Sequence, residues 1–241
     1  MKAPRIHVDA ALAPGVDLIL PEAAARHVAA VLRLREGAPL TLFDGRGQEA
    51  TAELVEVTRK RVVVRIATLA DGRGESPLAV HLGQAISKGE RMDYAIQKAA
   101  ELGVAAITPL YTEHGDVRLK GERAAKKLAH WQGVVASACE QCGRATLPKV
   151  HAPRPLSEWL ADRDEALRLV LHPATESAWR NAQGVTSAAL LIGSEGGLSA
   201  AEVARASDAG FTPLTLGPRI LRTETAPVVA LTLLQHHFGD L

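Results

Sequence analysis

Two segments near the carboxyl end combine residue types suited to holding an anion or a charged ligand. Leu190-Leu191-Ile192-Gly193-Ser194-Glu195-Gly196-Gly197 is an apolar run entering a glycine-rich turn, and Ser199-Ala200-Ala201-Glu202 has the form of a helix capping box. A glycine turn between strand and helix brings backbone N–H groups close to a ligand at the carboxyl end of a parallel strand. The pattern is neither G-x-G-x-x-G nor a P-loop, since no Gly-Lys-Ser/Thr follows, and a tight structural turn has the same spacing. The second segment is Leu216-Gly217-Pro218-Arg219-Ile220-Leu221-Arg222-Thr223-Glu224-Thr225-Ala226. Arg222 and Glu224 either pair to cap the helix that follows or set guanidinium donors and a carboxylate beside the glycine loop. His172-Pro173, after the apolar run Leu167–Leu171, makes a third strand end. Three such ends converging form a pocket in an α/β sheet.

Other chemistry is poorly supported. Cys139-x-x-Cys142 lies inside an expected helix with both thiols on one face. Zinc needs two further ligands and a redox pair should open a helix after a strand, so both cysteines are expected to be buried and structural. There is no G-x-S-x-G, no H-E-x-x-H and no clustering of the nine histidines. His236-His237 is expected on a helix surface. Two basic groups remain: Arg26, His27, Arg33 and Arg35, and Arg118, Lys120, Arg123, Lys126 and Lys127. Each suits a solvated face; together they would form a surface that tracks phosphates.

The elements that must position these residues fall into two stretches. Early in the chain the spacing predicts strands at 16–20, 39–43, 49–57 and 61–68 and a helix at 21–33, opened by Pro21 and carrying Ala25, Val28, Ala29 and Leu32 on one face. This is a small β-barrel-like module at about 1–72, with Asp71-Gly72-Arg73-Gly74 as linker. Beyond it, strands at 78–86, 105–110, 167–171, 188–192 and 213–216 alternate with helices at 90–102, 122–142, 199–209 and 225–238. Apolar strands separated by helices imply a parallel sheet covered on both faces.

Composition sets the outer limits. Of 241 residues 47% are hydrophobic, 23% charged and only 3% aromatic, so the core rests on Ala, Val, Leu and Ile rather than on rings. The longest run without Asp, Glu, Lys or Arg is Thr225 to Gly239, short of the roughly 20 apolar residues a spanning helix needs. The start, MKAPRIHVDA, has no apolar core of a secretory signal, and two cysteines make no disulfide framework; a cytoplasmic protein is expected. Lys and Arg total 28 against 27 Asp and Glu, but the charge is uneven. Residues 86–150 carry 10 basic and 7 acidic side chains, whereas 151–241 carry 7 and 10. The middle is basic and the end acidic, a weak signal for nucleic acid.

Taken together, RHVAAVLRLREG at 26–37, LFDGRG at 42–47, HLGQAISKGERMDYAIQKAAELGVAAITPL at 81–110, ACEQCGR at 138–144, LLIGSEGGLSAAE at 190–202 and LGPRILRTETA at 216–226 resemble the bacterial 16S rRNA uridine-N3 methyltransferases (RsmE-type) of the SPOUT superfamily. The resemblance spans nearly the whole chain in the family's order. It implies an N-terminal PUA-like β-barrel for RNA at 1–72 and a C-terminal α/β SPOUT domain with a deep trefoil knot at 73–241. It also implies a homodimer, S-adenosylmethionine as cofactor, no metal, and as substrate uridine 1498 of 16S rRNA in the 30S subunit. The cofactor residues carried over are Leu171, His172 and Pro173; Ile192, Gly193, Ser194, Glu195 and Gly196; and Leu216, Gly217, Ile220, Leu221, Arg222, Thr223 and Ala226. The family's usual Gly-Pro-Glu-Gly-Gly is Gly193-Ser194-Glu195-Gly196-Gly197 here, a serine that restores a backbone N–H and frees φ.

Methylation at uracil N3 requires stabilising a uracil anion, the role expected of Arg222. Glu195 and Glu224 are the candidate proton acceptors, with His172 third. The target base must be flipped out or unpaired. Arg5, Arg26, Arg33 and Arg35, with Lys88 and Arg91, are the expected RNA contacts, and binding should weaken steeply with salt. A SPOUT ribose 2′-O-methyltransferase, a non-catalytic RNA-binding assembly protein, and a nucleotide-binding α/β enzyme of unrelated chemistry are the alternatives.

Overall fold

Apolar and polar residues alternate through the early part of the chain, and the backbone answers with five strands: β1 (Arg5–His7), β2 (Asp17–Ile19), β3 (Pro39–Phe43), β4 (Gln48–Val57) and β5 (Val62–Asp71). They form a mixed sheet in the order β1-β3-β4-β5-β2, with β1 parallel to β3 and the other pairs antiparallel. The computed structural model describes residues 3–58, 61–172 and 178–241, and these divide into two units. The first is Met1–Glu75 with Ala136–Leu147; the second is Ser76–Val135 with Pro148–Leu241.

In the first unit, Ile6, Leu40, Leu42, Leu54, Val64 and Ile66 fill the core, joined by Val28 from the helical segment at 22–31. That segment departs from the continuous α-helix expected at 21–33. α1 (Glu22–Arg26) passes into a π-turn over His27–Val31, closed by the Leu32 N–H donating to His27 O at 2.9 Å. The wider turn accommodates an extra residue, and Arg33 follows with φ at 53°, a left-handed conformation rare outside glycine. β1 was not foreseen: it has three residues, too short to show an alternation, and among the described residues pairs only with β3. The Asp71 end of the expected linker belongs to β5. Residues 136–147 join this unit through polar contacts. The His7 N–H donates to Glu140 Oε1 (3.0 Å), Leu147 N–H donates to Gly45 O (3.0 Å), and Arg144 pairs with Glu75 (2.7 Å). The expectation that both cysteines are buried holds for Cys139 but not for Cys142, which is exposed. The Cys142 side chain beside it and burial push the Cys139 thiol well above its ordinary range, so it is not a thiolate.

The second unit is a sheet of seven parallel strands: β6 (Ala79–Ala85), β7 (Ala106–Tyr111), β8 (Lys149–Val150), β9 (Arg154–Pro155), β10 (Leu167–Leu171), β11 (Ser187–Ile192) and β12 (Thr212–Leu214). Their order is β12-β10-β11-β6-β7-β8, with β9 also on β7. Its α-helices are α2 (Glu90–Glu101), α3 (Gly121–Cys142) up to residue 135, α4 (Leu156–Ala161), α5 (Ala200–Asp208) and α6 (Thr225–Phe238). β11 is buried at five of its six positions and β10 at three of its five, with no exposed residue in either, as expected of strands covered on both faces. β12 stops at Leu214, two residues short of the expected end, which frees Thr215 and Leu216 for the loop. Among the described residues no helix is long and apolar enough to cross a membrane.

His81 on β6 is partly buried, its side chain 14% exposed. Its Nε2 accepts from Trp159 Nε1 (3.3 Å) and meets Thr108 Oγ1 (2.7 Å), while Arg163 lies against Nδ1. Burial, aided by the Arg163 guanidinium, pushes its pKa down to about 3. The folded state therefore refuses a proton that the unfolded chain accepts near pH 6.5, so the stabilisation is full above that pH and is lost as pH falls towards 3. The slope from this residue is about 1.4 kcal/mol per pH unit. All three tryptophans lie in this unit, so urea unfolding followed by tryptophan fluorescence reports on it. Acidification from pH 6.5 to 5 should cost the wild type about 2 kcal/mol more than His81→Gln; equal losses would refute the role of His81.

Candidate active site

The strand order brings three carboxyl ends side by side, because β12 neighbours β10 and β10 neighbours β11. The loops leaving them are hydrogen-bonded to one another. His172 N–H donates to Leu214 O (3.2 Å) and Thr215 Oγ1 donates to His172 O (3.3 Å), joining the ends of β10 and β12. Thr223 Oγ1 donates to Gly193 O (2.8 Å), joining the last loop to the glycine loop. Between them lies a cavity of about 520 Å³. Every residue expected at the cofactor site lines it except Pro173, which lies outside the described residues. Arg91, Gly197, Leu198, Thr215, Arg219 and Glu224 line it as well.

The glycine loop is held from two sides. The expected capping box is present: Ser199 Oγ accepts from the Glu202 N–H and Glu202 Oε2 from the Ser199 N–H. The other oxygen of the buried Glu202 accepts from the Glu113 N–H (2.8 Å), which draws the loop after β7 against the start of α5. There the His114 ring bonds Gly196 O (3.0 Å), and Ser194 Oγ donates to His114 O (3.3 Å). Ser194 thus tethers the glycine loop through its side chain. His114 and its tether were not foreseen, since nothing in local spacing links 113–114 to 194–202.

Glu195 pairs with Arg91 at 2.7 Å. Partial burial works against its ionisation, but its own backbone N–H, the Arg91 guanidinium and the Lys88 backbone outweigh this and hold the carboxyl below its ordinary range. Glu195 is therefore a charged ion-pair partner and a weak base. Arg222 is exposed at the cavity edge, and Glu224, half-buried, makes no side-chain capping bond at the start of α6. The alternative in which these two form a helix-capping pair is not what the structure adopts. Pro227 occupies the first turn of α6, where its missing N–H costs nothing.

Two family models match the chain: the RNA methyltransferase domain over residues 74–235 and the RNA methyltransferase PUA domain over 20–67. The ribosomal RNA small subunit methyltransferase E of Buchnera aphidicola (from Schizaphis graminum) is 37% identical across 100% of this chain and 98% of its own length. The chain belongs to the ribosomal RNA small subunit methyltransferase E family. The Bacillus subtilis member is 31% identical, covering 87% of this chain and 86% of its own. Among solved structures, the Neisseria gonorrhoeae family member bound to S-adenosyl methionine superposes with a TM-score of 0.92 at 39% identity, over 100% of both chains. The Legionella pneumophila protein Lpg2936, solved with the cofactor SAM, gives a TM-score of 0.97 at 47% identity, again over 100% of both. The α/β unit with its parallel sheet is thus SPOUT-like, and the mixed sheet before it is PUA-like.

The residues expected to contact RNA are placed differently from one another. Arg26, Arg33 and Arg35 are exposed on the first unit, Arg26 paired with Glu22 at 3.1 Å. Arg5 is not on the open surface: its side chain is 9% exposed, pairs with Glu49 at 2.6 Å and donates to Arg144 O. In the second unit Lys88 is exposed and paired with Asp116, and Arg91 is committed to Glu195. His236 and His237 are exposed as expected, though the His237 ring also bonds Arg180 O. Among the described residues no group of three or more His, Cys, Asp and Glu side chains could hold a metal ion.

Proposed function

We propose that this chain transfers a methyl group from S-adenosylmethionine to N3 of uridine 1498 in the 16S rRNA of the 30S subunit. The observation that carries this is the cavity formed by three mutually bonded strand-end loops, in a family whose relatives are solved with S-adenosylmethionine. The cavity suits that molecule. Leu171, Ile192, Leu216 and Leu221 give it an apolar lining, and Gly193 and Gly196 admit close backbone approach. When bound there, the cofactor supplies an electrophilic methyl on a sulfonium.

The chain's own residues supply the rest. Uracil N3 is a poor nucleophile until its proton leaves, and the charge then spreads onto O2 and O4. Arg222, at the cavity edge and without a carboxylate partner among the described residues, donates to that charge. Glu224 is the better proton acceptor for N3–H, because Glu195 is held ionised by Arg91. Glu195 instead fixes the position of the glycine loop. Residues 1–72 serve as the RNA-binding PUA-like barrel, with phosphate contacts from the exposed Arg26, Arg33 and Arg35. Residues 73–241 form the methyltransferase domain with its trefoil knot. The working form is a cytoplasmic homodimer; Ile220, 94% exposed and apolar in the last loop, supports the dimer.

Incubation with labelled S-adenosylmethionine and unmodified 30S subunits, followed by nucleoside mass spectrometry, should yield 3-methyluridine mapped to uridine 1498. A 2′-O-methylated nucleoside would overturn the reaction at N3, and no transfer without cofactor binding would overturn the enzyme.

A further inference from the structure

Gln84 lies outside the cavity, on β6, opposite Ile192 in the β6–β11 register. Its side chain is fully buried, and its Nε2 donates to Thr223 Oγ1 at 3.1 Å. The direction of this bond is forced. The Thr223 hydroxyl has one proton, and the Gly193 carbonyl at 2.8 Å can only accept it. Thr223 must therefore receive N–H from Gln84, and the Ser87 hydroxyl, 3.4 Å away and also buried, donates to the remaining lone pair. The amide orientation follows from this network. It leaves Gln84 Oε1 buried without a hydrogen-bond partner among the described residues. A sheet strand does not need a buried amide with half its capacity unused; an apolar residue would fill the same space without that cost.

We propose that Gln84 is a positioning residue for cofactor binding, acting through Thr223. By filling the acceptor capacity of Thr223, Gln84 directs the threonine proton to Gly193 O. That locks the last loop to the glycine loop at the separation the cavity requires. The proposal rests on the cofactor assignment above and adds a residue that touches neither cofactor nor RNA. Ser87 shares the Thr223 hydroxyl but, as the longer contact, is the secondary partner.

The test is the binding of S-adenosylmethionine by calorimetry, with steady-state kinetics on 30S subunits. Gln84→Met keeps the volume and removes the donor. It should raise Kd and KM for S-adenosylmethionine about tenfold, with kcat within about twofold and a melting temperature near wild type. Thr223→Val should weaken the cofactor at least as much, and Thr223→Ser should recover most of that loss. The double variant Gln84→Met/Thr223→Val should be no worse than the poorer single variant, because both remove one interaction. A folded Gln84→Met protein that binds within twofold of wild type overturns the role of Gln84 alone. If Gln84→Met does not fold, equal binding by Thr223→Val and Thr223→Ser overturns it instead. A wild type that binds no S-adenosylmethionine overturns the cofactor assignment itself.

Discussion

Arg222→Ala should lower kcat on 30S subunits by about 10²- to 10³-fold while the protein folds normally and binds RNA as before. The side chain is exposed at the cavity edge, so truncation leaves no hole. The local backbone does not depend on it either: the Arg222 carbonyl accepts from the Thr225 and Ala226 N–H groups, a turn any residue can make. In the role proposed for Arg222, what is lost is a donor aimed at charge that exists on uracil only once N3–H has dissociated, so the loss should fall on kcat rather than on affinity. Arg222→Lys keeps the charge but not the planar fork and should fall between the two. A second signature separates this role from simple cofactor contact. Raising the pH deprotonates N3 without help, so the gap between wild type and Arg222→Ala should narrow as pH rises. Near-normal turnover by a folded Arg222→Ala protein, or a gap independent of pH, would remove the arginine from the chemistry.

Much of this site was legible because its chemistry is local. Ser199 and Glu202 sit three apart and make the capping box; Gly193 to Gly197 follow an apolar strand; Thr225 to Phe238 form one apolar helix. Each pattern is enforced by neighbours in the chain. What was not legible depends on partners far away in sequence. His114 meets the glycine loop across 80 residues, and Gln84 meets Thr223 across 139. Arg91 looked like an RNA contact because a lone arginine has no visible partner; folding supplies Glu195, 104 residues away. Arg5 is a similar case, its charge met by Glu49 inside the first unit. Nor does any spacing reveal that 136–147 pack with the first 75 residues, since that contact is made by a helix end whose period is the same in either setting. The π-turn at His27–Val31 escaped for a different reason: a pattern read at 3.6 residues per turn cannot show where one turn widens.

The glycine loop yields the other large effect, and two of its glycines should behave differently. Gly193 has no side chain because there is no room for one. A Cβ there would stand 3.0 Å from the Gly197 carbonyl carbon and 3.1 Å from the Leu198 nitrogen, and backbone atoms cannot swing aside as a side chain can. Gly193→Ala must open the turn, and with it both the Ser194–Gly197 bridge and the carbonyl that Thr223 holds. The expected result is at least a ~100-fold rise in Kd for S-adenosylmethionine, equivalent to about 2.8 kcal/mol. The stabilisation that saturating cofactor gives the wild type in a thermal melt should be lost with it. Gly197 has open space around its Cβ position but a φ of 71°, so Gly197→Ala meets only the left-handed penalty. At roughly 1–2 kcal/mol that penalty should weaken the cofactor by about 5- to 30-fold. The order Gly193→Ala worse than Gly197→Ala is the diagnostic. Equal effects, or the reverse order, would mean that close backbone approach within the loop is not what shapes the cavity.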